Sequence, residues 1–151
     1  MADKFGFDKI SKMMPQVRNN FLRGSIKLSQ DEMLENFESE SAHGKSWIPI
    51  TYREPPPPIL DLTGKMKEES ISGEPVLSGN SAVLIIDPID PSKGVGYADY
   101  HQQDGMGEPS AMPGSGDWGK NKKRAFMTQS SELDKNQRNL LINELDKAFK
   151  I

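Results

Sequence analysis

Cysteine is absent from this sequence of 151 residues, and histidine occurs only twice. The absence of cysteine excludes disulfide bonds, thiol catalysis and cysteine-ligated metals, and it is compatible with folding in a reducing cytoplasm. No apolar run approaches the roughly 20 residues that a membrane-spanning helix needs. The first residues, MADKFGFDKISK, hold no continuous apolar segment of the kind found in a secretory signal. We therefore predict a soluble protein with no membrane partner.

Hydrophobic side chains are also scarce, at 34% of the chain, whereas glycine and proline are abundant, with 13 and 11 residues. A chain of this length fits one domain, here residues 1–151, with a modest core. The composition predicts a compact centre that carries substantial loops or extensions. The net charge of -3 gives no general attraction to nucleic acid.

Two amphipathic helices are predicted within the first 40 residues. The first follows from apolar residues at three- and four-residue spacing, namely Phe7, Ile10, Met14, Val17 and Phe21. Pro15 either kinks this helix or marks the first turn of a new one, and Gly24 is a weak point. Ser29 and Glu32 have the S-x-x-E spacing of a capping box, which predicts a second helix that ends before Ser41.

An extended arm and a β-hairpin are predicted next. Residues 45–58 contain Trp47, which we expect to anchor the arm, and four consecutive prolines that favour polyproline backbone. Residues 65–71 fit either a short helix or an edge strand. The apolar stretches on either side of the sequence SGNS predict a hairpin. The continuous apolar run Val83–Ile86 predicts a strand that is covered on both faces.

The C-terminal part combines a long loop with a helix. Residues 104–123 are rich in glycine, proline and serine, and Arg124–Met127 is a strand candidate. Ser130 or Ser131 caps a final helix that runs to about Phe149. We predict that its buried stripe is Leu141, Leu145, Ala148 and Phe149, and that its solvent-facing residues are Asn136, Gln137, Arg138, Asn143, Glu144 and Lys147.

The order of these elements predicts an α+β fold. We expect one small, mostly antiparallel sheet with the N-terminal and C-terminal helices packed on one of its faces. The proline-rich arm at 45–58 and the glycine-rich loop at 104–123 extend from this domain.

The segment YADYHQQDG, residues 97–105, is the most suggestive place for chemistry. Asp99, His101 and Asp104 would serve a small metal-dependent hydrolase, but one histidine with aspartates is an incomplete zinc shell, and no nucleophile is marked nearby. Asp87 and Asp90 each precede a proline and fit turns better than calcium ligands. We predict no catalytic residue, metal or cofactor. His101 and Tyr97 are then expected to anchor a short helical turn against the sheet.

A basic cluster lies at the end of the long loop and consists of Lys120, Lys122, Lys123 and Arg124. It could contact phosphates of nucleic acid, so a small nucleic-acid-binding protein is the alternative function. It could equally contact an acidic surface of a partner. Trp118 stands beside it in polar surroundings, which is typical of a contact residue.

The order of four short motifs resembles one family. GKSWIPI at 44–50 and LDLTGKMKEESI at 60–71 precede YADYHQQDG and RAFM at 124–127. This order is similar to the virion-morphogenesis (tail-completion) family of Mu-like phages, and more loosely to head-to-tail joining and tail-terminator proteins. The chain departs from the family at Leu62, at Ala125 and by one extra residue before Gly105. The matching positions are Leu60, Gly64, Tyr97, Ala98, His101, Gln102, Gly105 and Phe126.

The resemblance implies a structural virion protein and not an enzyme. Such a protein would form a homo-oligomeric ring, commonly a hexamer, at the phage neck or tail end after assembly in the host cytoplasm. Its partners would be head connector or adaptor proteins and tail tube or terminator proteins, with DNA passing through the lumen. The candidate interface residues are Trp47, Pro55, Pro56, Pro57, Pro58, Trp118, Lys120, Lys122, Lys123 and Arg124.

Overall fold

A computed structural model describes residues 6–42, 44–47, 65–86, 89–90, 95–96, 126–127 and 129–150. These residues form helices and short antiparallel strand pairs, which confirms the α+β class. In chain order, the elements are α1 (Phe7–Ser39), β1 (Ser41–Ala42), β2 (Lys45–Ser46), α2 (Lys65–Ser72), β3 (Val76–Ser78), β4 (Ser81–Val83), β5 (Ile89–Asp90), β6 (Val95–Gly96) and α3 (Ser131–Phe149).

The N-terminal segment is one long helix, and the prediction of two helices was wrong. Pro15 lies inside α1 without ending it. Ser29 does not cap a second helix, because its hydroxyl donates to the carbonyl of Ser25 one turn earlier, at 3.0 Å. This bond is typical of a serine in a helix interior. The helix ends where Glu40 takes a positive φ of 47°, close to the predicted boundary.

Helix α3 begins and ends as predicted. Ser130 is its N-cap, and the Ser130 hydroxyl accepts a hydrogen bond from the backbone N–H of Leu133 at 2.9 Å. Glu132 and Asp134 lie in the first turn, and Lys147 lies in the last. These charges complement the helix dipole at both ends.

The N-terminal and C-terminal helices pack together at Gly24. A Cβ atom at this position would lie 2.6 Å from Cδ2 of Leu140 in α3. Gly24, predicted as a weak point, is therefore a place where α1 lets the Leu140 side chain of α3 approach its backbone closely. The missing side chain accommodates the leucine, which offsets the cost of about 1 kcal/mol that glycine carries in a helix interior.

The described strands form three separate two-stranded antiparallel pairs, β1–β2, β3–β4 and β5–β6. The β3–β4 hairpin confirms the prediction around SGNS, with Val76 opposite Val83. Gly79 has a φ of +57°, as the first central residue of a type II′ turn requires. Residues 65–71, which could have been helix or strand, lie in helix α2.

One strand prediction was wrong, and a second was wrong for the residues that the structure describes. The strand at Val83 does not continue through Ile86, and both Val83 and Ile85 are largely exposed, because no further described strand pairs with β4. Of the candidate strand Arg124–Met127, the described residues Phe126 and Met127 are not in a strand. The carbonyl of Phe126 accepts a hydrogen bond from the side chain of Asn36 instead.

The chain divides into two compact units. The helix-pair unit comprises Met1–Ser29, Glu74–Leu84 and Gln129–Ile151, and it includes the β3–β4 hairpin and α3. The aromatic unit comprises Gln30–Gly73 and Ile85–Thr128. The boundary falls inside α1, between Ser29 and Gln30. Among the helices that the structure describes, none combines the length and the apolar character needed to cross a bilayer.

Candidate functional site

Three aromatic side chains from distant parts of the sequence meet in the aromatic unit. The ring of Phe37, near the end of α1, lies 5.2 Å from the ring of Phe126 and 5.9 Å from that of Trp47, measured between centroids. The Phe37 and Trp47 rings meet edge to face at 81°. Such geometry adds about 0.5–1.5 kcal/mol per pair beyond the burial of apolar area. All three side chains are buried.

Hydrogen bonds that involve the backbone fix the segments that carry these rings. The Asn36 side chain is buried and donates to the carbonyl of Phe126 at 3.1 Å. The backbone N–H of Trp47 donates to the carbonyl of Glu40 at 2.7 Å. These bonds pair polar groups of the buried residues Asn36, Trp47 and Phe126, so hydrogen bonds as well as packing hold the segments in place.

This aromatic cluster joins two of the motifs on which the family resemblance rests. Trp47 belongs to GKSWIPI and Phe126 belongs to RAFM, and both rings contact Phe37. Trp47, predicted as a contact residue, is a buried side chain of this core and offers little surface to a partner. Phe37, the centre of the cluster, was not identified from the sequence.

Helix α2 belongs to the same unit and is held by polar contacts. The Gln30 side chain, which is buried in α1, donates to the carbonyl of Gly73 just after α2 at 2.9 Å. Met66 and Ser70 are fully buried, and the Ser70 hydroxyl donates to the carbonyl of Met66 at 2.7 Å. The buried amide of Gln30 therefore links α1 to the residue that follows α2.

The other predicted site residues lie outside the described residues. This applies to the segment around His101 and to every interface candidate except Trp47. The residues concerned are Pro55, Pro56, Pro57, Pro58, Leu60, Gly64, Tyr97, Ala98, His101, Gln102, Gly105, Trp118, Lys120, Lys122, Lys123 and Arg124. The aspartates Asp87, Asp99 and Asp104 are also outside them.

A polar cluster in the helix-pair unit was missed by sequence reasoning. Glu144 of α3 was predicted to face solvent, but only 6% of its surface is exposed. Its carboxylate accepts a hydrogen bond from the Asn20 side chain of α1 at 2.9 Å and another from Lys147. The packing face of α3 therefore includes a glutamate, which helical periodicity alone assigned to the polar side.

These contacts determine the charge state of Glu144. Hydrogen bonds from Lys147 and Asn20 lower the pKa of this carboxyl below its ordinary value of 4.5, against the opposing effect of burial. The carboxylate is therefore ionised at neutral pH. A buried charge with two partners is costly to leave unpaired, so either partner's removal should destabilise the helix contact.

A small cavity of about 110 Å³ adjoins this cluster. Its walls come from α1 and α3 and consist of Met13, Gln16, Val17, Asn20, Glu144, Lys147 and Ala148. The space would hold only a few water molecules, and its only ionisable lining groups, Glu144 and Lys147, are already paired with each other. The arrangement stabilises the contact between α1 and α3.

Within the ranges that the structure describes, no group of three or more histidine, aspartate or glutamate side chains is arranged to hold a metal ion. Comparisons of the chain with protein-family models, with curated proteins and with solved structures found no match.

Proposed function

We propose that this chain is a structural virion protein of the phage neck or tail end, where it forms a ring that completes the tail or joins the head connector to the tail tube. The motif order supports this proposal. The observation that carries it furthest is the packing of Trp47 and Phe126 against Phe37. Two motifs separated by about half the chain thus meet in one core.

This contact bears on the resemblance in a specific way. Aromatic rings meet in many cores, and here the two rings that meet on Phe37 come from GKSWIPI and RAFM. Their convergence on α1 is what shared elements of one fold would produce. It speaks for a common fold, while the role in the virion rests on the resemblance itself.

The test is to locate the chain in particles of the phage that encodes it. We expect mass spectrometry of purified virions to detect the protein in a few copies per particle. Electron microscopy should place it between head and tail. A phage with an early stop codon in this gene should yield separate heads and tails, and joined particles should return when the protein is supplied from a plasmid.

An Asn143→Ala gene serves as a control for the complementation, because this asparagine is exposed on α3 and lies outside the aromatic cluster. Phe126→Ala should complement less well. Normal particles from the stop-codon phage would contradict the proposal. Salt-sensitive DNA binding that is lost on replacing Lys120, Lys122 and Lys123 with alanine would instead favour the nucleic-acid-binding alternative.

A further inference from the structure

Helix α3 carries a second apolar face besides the one that packs on α1. Leu140, Glu144 and Ala148 are directed toward α1. Ile142 and Phe149, seven residues apart and therefore on one side of the helix, are 49% and 56% exposed. Leu141 is also exposed, so its predicted burial and that of Phe149 were wrong. We call Leu141, Ile142, Leu145 and Phe149 the α3 stripe.

The β3–β4 hairpin of the same unit has an apolar face of its own. Val76 and Val83 lie directly opposite each other in the ladder and are 61% and 49% exposed. The turn of this hairpin is tied to α1, because Nη1 of Arg18 donates to Oδ1 of Asn80 at 3.1 Å. We call the exposed side of Val76 and Val83 the hairpin face. A fixed β-branched pair offers a flat surface on which a helix can lie.

The charges that border these two surfaces include an opposite pair, although the exposed Asp146 also lies beside Ile142 on the α3 side. Arg138 lies one helical turn before Ile142 on the exposed side of α3. Glu74 lies two residues before Val76 and is also exposed. Neither side chain forms an ion pair with another described residue. When Ile142 lies over the valine pair, Arg138 can reach a glutamate at the border of the hairpin face.

We propose that the α3 stripe of one copy packs on the hairpin face of a second copy of this chain. The two surfaces differ, so the contact is heterologous, and repeated contacts of this kind close into a ring when the rotation between copies permits. This inference rests on the proposed ring-forming role and names its subunit contact. Each surface is small compared with a standard interface of roughly 800 Å² per partner. A single contact should therefore be weak and ring closure should strengthen it.

Two variants of the full-length protein test the contact. Ile142→Glu with Phe149→Glu alters the α3 stripe, and Val76→Glu with Val83→Glu alters the hairpin face. We expect each to weaken self-association about tenfold or more in analytical ultracentrifugation. Mixing the two variants should give one-to-one complexes and nothing larger, because each variant retains the surface that the other has lost.

Matched controls separate the contact from folding. Asn143→Glu adds a negative charge on another side of α3, where Asn143 is exposed, and should leave association unchanged. Circular dichroism should be the same for all variants. Arg138→Glu and Glu74→Arg should each weaken association, and their combination should restore most of it.

Three results would overturn the inference. The first is a wild-type chain that stays monomeric at the highest soluble concentration. The second is association that neither pair of substitutions changes. The third is loss of association with the α3 substitutions alone, which would indicate a symmetric contact between two α3 helices. If the protein associates through these surfaces but is missing from virions, the proposed function is refuted and the inferred contact stands. If the protein is found in virions but neither surface is needed for association, the inferred contact is refuted and the proposed function stands.

Discussion

In the helix-pair unit, the contact between α1 and α3 contains the buried carboxylate of Glu144, held by Asn20 and Lys147. In the aromatic unit, the centre consists of the rings of Phe37, Trp47 and Phe126. The stability that comes from apolar burial and ring contacts does not depend on pH, whereas the stability that comes from an ionised carboxylate does. The two units of one small chain should therefore respond differently to substitution, to acid and to salt.

The two units also differ in which apolar side chains they leave exposed. The described core of the aromatic unit buries its large rings completely or nearly so. The helix-pair unit buries Val17, Leu133 and Ala148 but leaves apolar side chains of α3 and of the hairpin exposed. Exposed apolar groups that cluster on regular elements are typical of surfaces that bind a partner. The exposed Ile85 and Met127 of the aromatic unit lie outside helices and strands, so assembly contacts are expected from the helix-pair unit and stability from the aromatic cluster.

The largest effect should come from Phe126→Ala. This side chain is fully buried, and its removal should destabilise the aromatic unit by about 3–5 kcal/mol. Denaturant unfolding followed by Trp47 fluorescence, in a Trp118→Phe background, would measure this loss. Phe149→Ala is the matched control and should change the free energy of unfolding by less than about 1 kcal/mol. Equal losses for the two phenylalanines would contradict the distinction between the units.

A smaller effect should follow from Gly24→Val. The new side chain would meet Leu140, since a Cβ alone would already lie 2.6 Å from Cδ2 of that leucine. We expect a loss of about 1–3 kcal/mol from overpacking, visible as faster amide hydrogen exchange in α3. In a Leu140→Ala background the clash is relieved, and Gly24→Ala should there be stabilising by up to about 1 kcal/mol. A loss of the same size in both backgrounds would contradict the close approach.

The acid response should separate the units further. Glu144 has a folded-state pKa below its ordinary value of 4.5, so its ionised form adds stability at higher pH. That contribution should be lost as the pH falls below this value. Glu144→Gln should cost about 1–2 kcal/mol at pH 7, and its stability should converge with that of the parent at low pH. The measurement is thermal unfolding of both proteins across acidic pH, and a constant difference at every pH would rule out the mechanism.

The smallest effect should come from Glu38→Gln in the aromatic unit. The Glu38 carboxylate lies 3.8 Å from Nζ of Lys67, and its side chain is 62% exposed. Exposed ion pairs contribute little, so we expect a change of less than about 0.5 kcal/mol. The same denaturant experiment, repeated with added salt, would check this. A larger loss that salt abolishes would show that electrostatics matters in both units.

Several local features followed from the sequence alone. Ser130 as the cap of α3, the helix end before Ser41 and the hairpin around Gly79 depend on residues close together in the chain. Capping, turn chemistry and β-branched preference act over a few residues, so the sequence contains the information directly. The α+β class followed from the order of these elements. The β5–β6 pair was not predicted, because two-residue strands leave almost no periodic pattern in a sequence.

Other features depended on which residues meet in space. Ser29 had the pattern of a helix start, yet α1 runs through it, because a capping box only permits a start and cannot impose one. The role of Gly24 depends on its contact with Leu140, and the position of Glu144 in the helix contact depends on its hydrogen bond with Asn20. Helical periodicity separates polar from apolar positions, but it cannot tell which face of an amphipathic helix meets a neighbour. Tertiary packing made that choice in α3, where it covered Glu144 and left Ile142 and Phe149 open.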